Sequence, residues 1–367
     1  MREPSATATA TFETKRSAVT TSVTTKARGF FSRYKRFIQV GVLALVVLFL
    51  GTAIWKSWTD LGHYAWRVDW GLLIIGFALL IGQEISYGFI WRAILARLGS
   101  HLDIISSQRI FLGAEFVRYI PGNVWHVITR VLWAEQKGVP KSIGFASMVI
   151  ELATRISSAA LVFAVSLFFW QDSSGLLSGV PQAAFITVGA IAVPLLLLGL
   201  YPPMLQGILN FGLRRVKRQP IHLELRYRDV LFIALFWSAS WLVAGFGFYF
   251  VVLALVSTPL PATALVLCIG IYALAWDIGF LSFVTPSGLG IREAATVILL
   301  TQAHLVPTGP AGVGVATVVA IIARLLATGA ELTCITAANL IRGVPPAPTP
   351  GALDAASDPV ELARPQG

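Results

Sequence analysis

From Val230 to Val256 the chain carries no Asp, Glu, Lys or Arg and is rich in Trp and Phe. A run of this length matches the apolar thickness of a bilayer, and in lipid the backbone can satisfy its own polar groups only as a helix. Comparable runs recur at Phe37 to Trp55, Trp70 to Trp91, Ser142 to Trp170, Ala183 to Leu200, Ala262 to Val284 and Ala311 to Ile341. The expected fold is therefore all-α: a polytopic integral membrane protein with about seven spanning helices. Composition agrees, with 56% hydrophobic and 13% charged residues where soluble domains carry about 25% charged.

The loops give an orientation. Arg214, Arg215, Lys217, Arg218, Arg226 and Arg228 crowd one short loop, whereas 171–181 and 301–310 contain no Lys or Arg. Positive loops stay in the cytoplasm, so this contrast predicts a multi-pass protein of the inner (cytoplasmic) cell membrane with both termini inside. The formal charge of +10 is distributed in the same way, which points to anionic lipid headgroups rather than nucleic acid as its counter-charge. Residues 1–36 hold eight basic residues against Glu3 and Glu13 in a Ser-, Thr- and Ala-rich context and read as a disordered cytoplasmic tail. The Pro- and Ala-rich stretch 343–367 reads likewise, and neither tail has the length of a soluble catalytic domain. Phe37 to Trp55 exceeds a signal-peptide core and is expected to remain as the first span. Cys268 and Cys334 both fall in apolar runs, which suits small buried hydrophobes and suggests neither a disulfide framework nor a zinc site.

Two breaks interrupt this regular pattern. Between Ile104 and Trp133 the chain reads Glu115-Phe-Val-Arg118-Tyr-Ile-Pro121-Gly122-Asn123, with Arg130 further on. Basic residues flank the stretch on both sides, so it leaves and re-enters on one face. Two half-helices forming a re-entrant hairpin satisfy this, and so does a pair of helices on the membrane surface. The second break is Pro286-Ser-Gly288-Leu-Gly290-Ile-Arg292-Glu293, and its charge pattern opens it to the other side. Each break is followed by a helix with charges on one face, Glu151 with Arg155 and Arg324 with Glu331. Broken helices entering from opposite sides are the layout of inverted-repeat transporters.

These residues form the candidate substrate site. Helix starts after the breaks expose N–H groups suited to an anion. Arg118, Arg130, Arg155, Arg292 and Arg324 add fixed positive charge, and the guanidinium fork matches phosphate. Glu115, Glu151, Glu293 and Glu331 either orient these arginines or meet a cationic headgroup. Pro121, Gly122, Asn123, Pro286, Gly288 and Gly290 shape the breaks. The plainer alternative is that Glu151/Arg155 and Arg292/Glu293 are neutralised pairs locking helices together. In the same vein, Asn123, Trp125 and His126 would be interfacial anchors, and Gly288 and Gly290 would serve close packing. Glu84 and Asp277 are lone acids at depth, fit for pairing or a proton relay.

Enzyme signatures are weak. There is no His-Glu-x-x-His motif and no Walker loop, and no metal or cofactor is expected. Pro286-Ser287-Gly288 faintly suggests an intramembrane serine protease, but His304 is the one later histidine and falls in a predicted loop.

Taken in order, Arg118-Tyr-Ile-Pro121-Gly122 running on to Arg130, then Gly138, the Glu151/Arg155 helix and Pro286-Ser-Gly288-Leu-Gly290-Ile-Arg292-Glu293 resemble the lysylphosphatidylglycerol synthase transmembrane-region family, the flippase-like domain proteins, over about residues 37 to 342. The resemblance implies an inner-membrane protein whose relatives move lipids such as aminoacylated phosphatidylglycerol between leaflets. Some relatives add a cytoplasmic aminoacyltransferase domain, which this chain lacks before its end at Gly367. The expected function is thus a non-enzymatic membrane lipid translocase for a phospholipid or lipid-linked precursor, the headgroup captured between the two breaks. Two alternatives stand beside it: a non-catalytic subunit positioning a separate glycosyl- or aminoacyltransferase, and a proton-coupled small-solute carrier using Glu84 or Asp277.

Overall fold

The computed structural model describes residues 66–116, 125–170, 179–215, 225–282 and 288–340, with isolated positions between 48 and 64. These segments form α1 (Trp70–Arg97), α2 (Ile104–Phe116), α3 (Trp125–Glu135), α4 (Lys141–Ser166), α5 (Gln182–Gly199), α6 (Pro202–Arg215), α7 (Tyr227–Leu255), α8 (Ala264–Leu281), α9 (Ile291–Gln302) and α10 (Pro310–Leu340). No strand occurs among the described residues. Six helices, α1, α4, α5, α7, α8 and α10, are long and apolar enough to cross a membrane. The protein is an all-α, multi-pass membrane protein. The expected span from Phe37 to Trp55 falls almost entirely outside the described residues, as do both tails.

Lipid tails are as apolar as leucine, so helices associate in a bilayer through close van der Waals packing and polar contacts. Where α1 crosses α7, a Cβ on Gly76 would sit 2.9 Å from the Gly247 carbonyl oxygen, and one on Gly247 would sit 3.0 Å from that of Gly76. Glycine at both positions lets the two backbones touch. The same pair is joined by Ser86 Oγ and Ser240 Oγ at 2.8 Å. Trp91 donates Nε1–H to Ser147 Oγ at 3.0 Å, tying α1 to α4, and Trp241 donates to Ser158 Oγ at 3.2 Å, tying α7 to α4. Helix α5 turns Ile186, Val188, Ile191, Leu195 and Leu198 outward as a lipid-facing surface.

The helices on either side of the first break both pack into the bundle. Helix α2 packs on α1 and α10, and α3 packs on α2 and α4. Phe111, Ala114, Trp133 and Ala134 are buried between them. Pro121, Gly122 and the rest of 117–124 lie outside the described residues. The second hairpin joins α8 to α9. Gly288 has φ +67°, and a Cβ there would lie 2.7 Å from the Gly279 carbonyl, so the returning chain rests on the backbone of α8.

One expectation needs correcting. Arg214 and Arg215 sit in the last turn of a further helix, α6, rather than in a loop; α5 stops at Gly199, and Pro202-Pro203 opens α6 directly after it. Proline is suited to the first turn because its missing N–H is not needed there. Leu205 docks α6 on Leu200, Val230 and Ala234, while Met204, Ile208 and Phe211 face outward. Arg226 stands at the N-terminal boundary of α7 without a side-chain capping bond, and Arg228 lies within the helix.

Candidate functional site

Residues distant in sequence converge on one cavity of about 310 Å³ among α1, α2, α3, α4, α8, α9 and α10. Of the candidate residues, Glu115, Arg130, Glu151, Arg155, Gly288, Arg292, Arg324 and Glu331 line it. Glu293 and Gly290 stand immediately behind, in the start of α9. Arg118, Pro121, Gly122, Asn123 and Pro286 lie outside the described residues. The first-turn residues His126 and Val127 of α3 and Arg292 of α9 share the cavity wall, so the two hairpins present their returning helices to the same space.

Arg130, 1% exposed, is the most enclosed charge in this wall. One terminal nitrogen donates to Glu151 Oε2 at 2.6 Å and the other to Glu115 Oε1 at 2.7 Å, while the guanidinium lies 3.8 Å from the Phe111 ring centre. A buried guanidinium is tolerated when carboxylates take both arms of its fork. This triad pins α2, α3 and α4 together. Glu151 therefore pairs across to α3, not with Arg155 one turn along its own helix, as the spacing suggested.

Arg155 has different surroundings. It is 6% exposed and lines the cavity, yet no ion pair involves it and its Nε has no hydrogen-bond partner among the described residues. Its guanidinium lies 4.1 Å from the Trp276 ring centre, 4.3 Å from Tyr87, 4.9 Å from Trp237 and 5.9 Å from Trp241. Ring faces stabilise a desolvated cation without neutralising it. Arg292, half-buried, repeats the pattern on the other hairpin: it sits 4.8 Å over the Tyr272 ring, and no ion pair involves it among the described residues.

The conspicuous residues of the second break have structural work to do. The Gly290 N–H donates to Glu293 Oε2, closing the start of α9 as a capping carboxylate does. The other Glu293 oxygen faces Arg324 Nε at 3.4 Å, tying α9 to α10. Arg292 and Glu293, neighbours in sequence, do not pair with each other. Glu84 and Glu331 also line the cavity.

The aromatic cage of Tyr87, Trp237, Trp241 and Trp276 escaped the sequence reading. Its available signal was the i, i+4 spacing of Trp237 and Trp241 in a span with no charge of its own. At the outer edge, Phe145 and Leu152 of α4 line the cavity while remaining exposed. An apolar lip thus adjoins a polar floor holding two cations without carboxylate partners. Such a floor suits a phosphate with a planar two-pronged contact from each arginine, and such a lip suits acyl chains. Among the described residues no cluster of His, Cys, Asp and Glu fits a metal.

A search of curated proteins found no match. The family model of the lysylphosphatidylglycerol synthase TM region matches residues 36–330, which takes in every described helix through most of α10. With its spans, its two hairpins and this match, the chain belongs to the lysylphosphatidylglycerol synthase transmembrane-region family.

Proposed function

We propose that the protein moves a phosphate-bearing membrane lipid between leaflets. The headgroup enters past Phe145 and Leu152, its phosphate settles between Arg155 and Arg292, and its acyl chains stay in the surrounding lipid. The protein performs no bond chemistry in this reading, and movement follows a gradient or mass action. We place it in the cytoplasmic membrane with both termini inside, on the strength of its basic loops.

The observation that carries the reading is Arg155. A desolvated cation that rings stabilise but that forms no ion pair among the described residues is costly to keep. An anionic headgroup supplies the missing charge each time it binds. Membership of a lipid-related membrane family agrees with that ligand.

The test uses proteoliposomes containing tail-labelled fluorescent phosphatidylglycerol, with dithionite to bleach label in the outer leaflet. Wild-type protein is expected to expose inner-leaflet label well above the rate of empty vesicles. Arg155→Ala is expected to slow that exposure at least about tenfold, the equivalent of one lost charged hydrogen bond. Exposure equal to that of empty vesicles across anionic and zwitterionic lipids overturns the reading.

A further inference from the structure

Away from the cavity, α6 carries a surface that the reading above does not use. Leu200 and Tyr201 alone separate the end of α5 from the start of α6, so α6 begins at the depth where α5 leaves the bilayer. Two tyrosines mark that depth. The Tyr201 and Tyr227 rings meet edge to face with centres 5.8 Å apart, and the Tyr227 hydroxyl donates to the Leu197 carbonyl at 2.7 Å. Tyrosine collects at the boundary between membrane and water because its ring is apolar and its hydroxyl polar. Leu205 then folds α6 back onto Leu200, Val230 and Ala234, which holds the helix against the body of the protein.

At 3.6 residues per turn the rest of α6 divides into two faces. Met204, Ile208 and Phe211, at i, i+4 and i+7, form an apolar row that is 52%, 62% and 62% exposed. Left in water, each such side chain would forgo about 1.5–3 kcal/mol of burial. Beside the row, Pro203, Gln206, Gly207, Asn210, Phe211 and Arg214 line a groove of about 560 Å³. Gly207 keeps its floor open, since a Cβ there would meet no atom within 4 Å. Arg214 is exposed at the end of the groove, and Arg226 and Arg228 are exposed at the start of α7. Leu225 and Tyr227, which alternate with those two arginines, pack against the cluster around Leu205, so all three cations border one patch. The acid on this edge, Asp229, faces Arg97 at 3.5 Å.

Two occupants suit an exposed apolar row on a membrane protein, a second copy of the chain and the bilayer itself, and charge decides between them. A symmetric second copy would set its own arginines against these, whereas the phosphates of acidic lipid bring the opposite sign. We propose that α6 is an in-plane anchor that binds an acidic phospholipid in the leaflet on the basic side of the membrane. Met204, Ile208 and Phe211 enter the upper acyl layer, as the apolar face of an interfacial helix does. The headgroup lies in the groove, its phosphate at the Arg214 guanidinium and its hydroxyls at the side-chain amides of Gln206 and Asn210. This lipid is a resident and not the cargo. Helix α6 lines none of the cavity, and the proposal stands whether or not the protein moves lipid between leaflets.

The experiment places a fluorescent probe at Ile208→Cys in the full chain, reconstituted in phosphatidylcholine vesicles. These contain a small fraction of either phosphatidylglycerol or phosphatidylcholine with a spin-label quencher on the acyl chain. Cys268 and Cys334 are buried, and wild-type protein taken through the same labelling supplies the blank. Both quenchers are expected to reach the probe, the phosphatidylglycerol one at least about fivefold more effectively, the worth of one basic residue at a membrane surface. High salt is expected to shrink that excess. Arg214→Gln, and Gly207→Leu, which fills the groove floor, are each expected to cut it severalfold while quenching by phosphatidylcholine stays as it was. Equal quenching by the two lipids overturns the acidic-lipid site. An excess untouched by both groove variants overturns the groove as its seat. A probe that aqueous iodide quenches and neither lipid reaches puts the row in water and overturns the anchor. A probe shielded from lipid and iodide alike gives the row to a second copy and overturns it too. The comparison of the two lipids, repeated with the probe at Met204→Cys, does not depend on either groove variant folding.

Discussion

Arg130 and Arg155 are both buried, both line the same cavity, and both lie over aromatic rings. Arg130 has a carboxylate on each arm of its fork, while no ion pair involves Arg155 among the described residues. The first arrangement is what a structural cross-link needs, with every charge answered. The second is what a binding site needs, with a charge kept available. The hairpins differ in the same spirit. The α2–α3 hairpin is fastened by buried ion pairs, and the α8–α9 hairpin by backbone contact at Gly288 and a capping carboxylate at Glu293. Residue type alone therefore says little about role here, and partners say most of it.

Substitutions separate the two arginines. The largest expected loss is at Arg130: Arg130→Ala strands two buried carboxylates and should cost about 3–5 kcal/mol, seen as a sharp fall in melting temperature in detergent. A variant that melts like wild type would dissolve the contrast between the two sites. Next comes Gly288→Ala, expected to cost about 1–3 kcal/mol because the new Cβ meets the α8 backbone at a left-handed position. The same melting measurement checks it, and an unchanged melt would mean that the hairpin closes in another way. Arg155→Ala should change stability by no more than about 2 kcal/mol, since lost ring contacts are offset by removal of an unneutralised cation. A loss as large as that of Arg130→Ala would make Arg155 a structural residue too.

The smallest effect lies outside the cavity. Asp103 accepts from the Ser106 N–H at 2.9 Å at the start of α2, and bonding from the Ser106 side chain and backbone holds its carboxyl below the usual range. Asp103→Ala should cost about 0.5–1 kcal/mol. A group with a depressed value in the folded state contributes above its ordinary value and loses that contribution as pH falls through the folded value. The wild-type advantage over Asp103→Ala should therefore be constant at neutral pH and fade only in strong acid. A difference that vanished near pH 7 would contradict this account.

Much of this molecule was legible in its sequence, for identifiable reasons. The runs Ala183 to Leu200 and Val230 to Val256 lie within three residues of α5 and α7 at each end, because lipid leaves an apolar run no fold but the helix. The two breaks stand out for the same reason, since Pro-Gly and Pro-Ser-Gly have no place in an undisturbed span. Pairing was not legible. Glu151 and Arg155 lie one turn apart, yet the elements opposite them decide their partners, a carboxylate-ready Arg130 for one and tryptophans for the other. Trp237, Trp241 and Trp276 read as ordinary apolar filling until the fold set them around a cation. Helix α6 was hidden because Pro202-Pro203 reads equally as a stop and as a first turn.

The central claim is that Arg155 is the available cation and Arg130 the spent one. It is tested most directly by the affinity of the purified, detergent-solubilised protein for a short-chain phosphatidylglycerol. Arg155→Ala should raise the dissociation constant at least about tenfold while the variant still melts cooperatively. An unchanged constant in a folded Arg155→Ala variant would contradict the account.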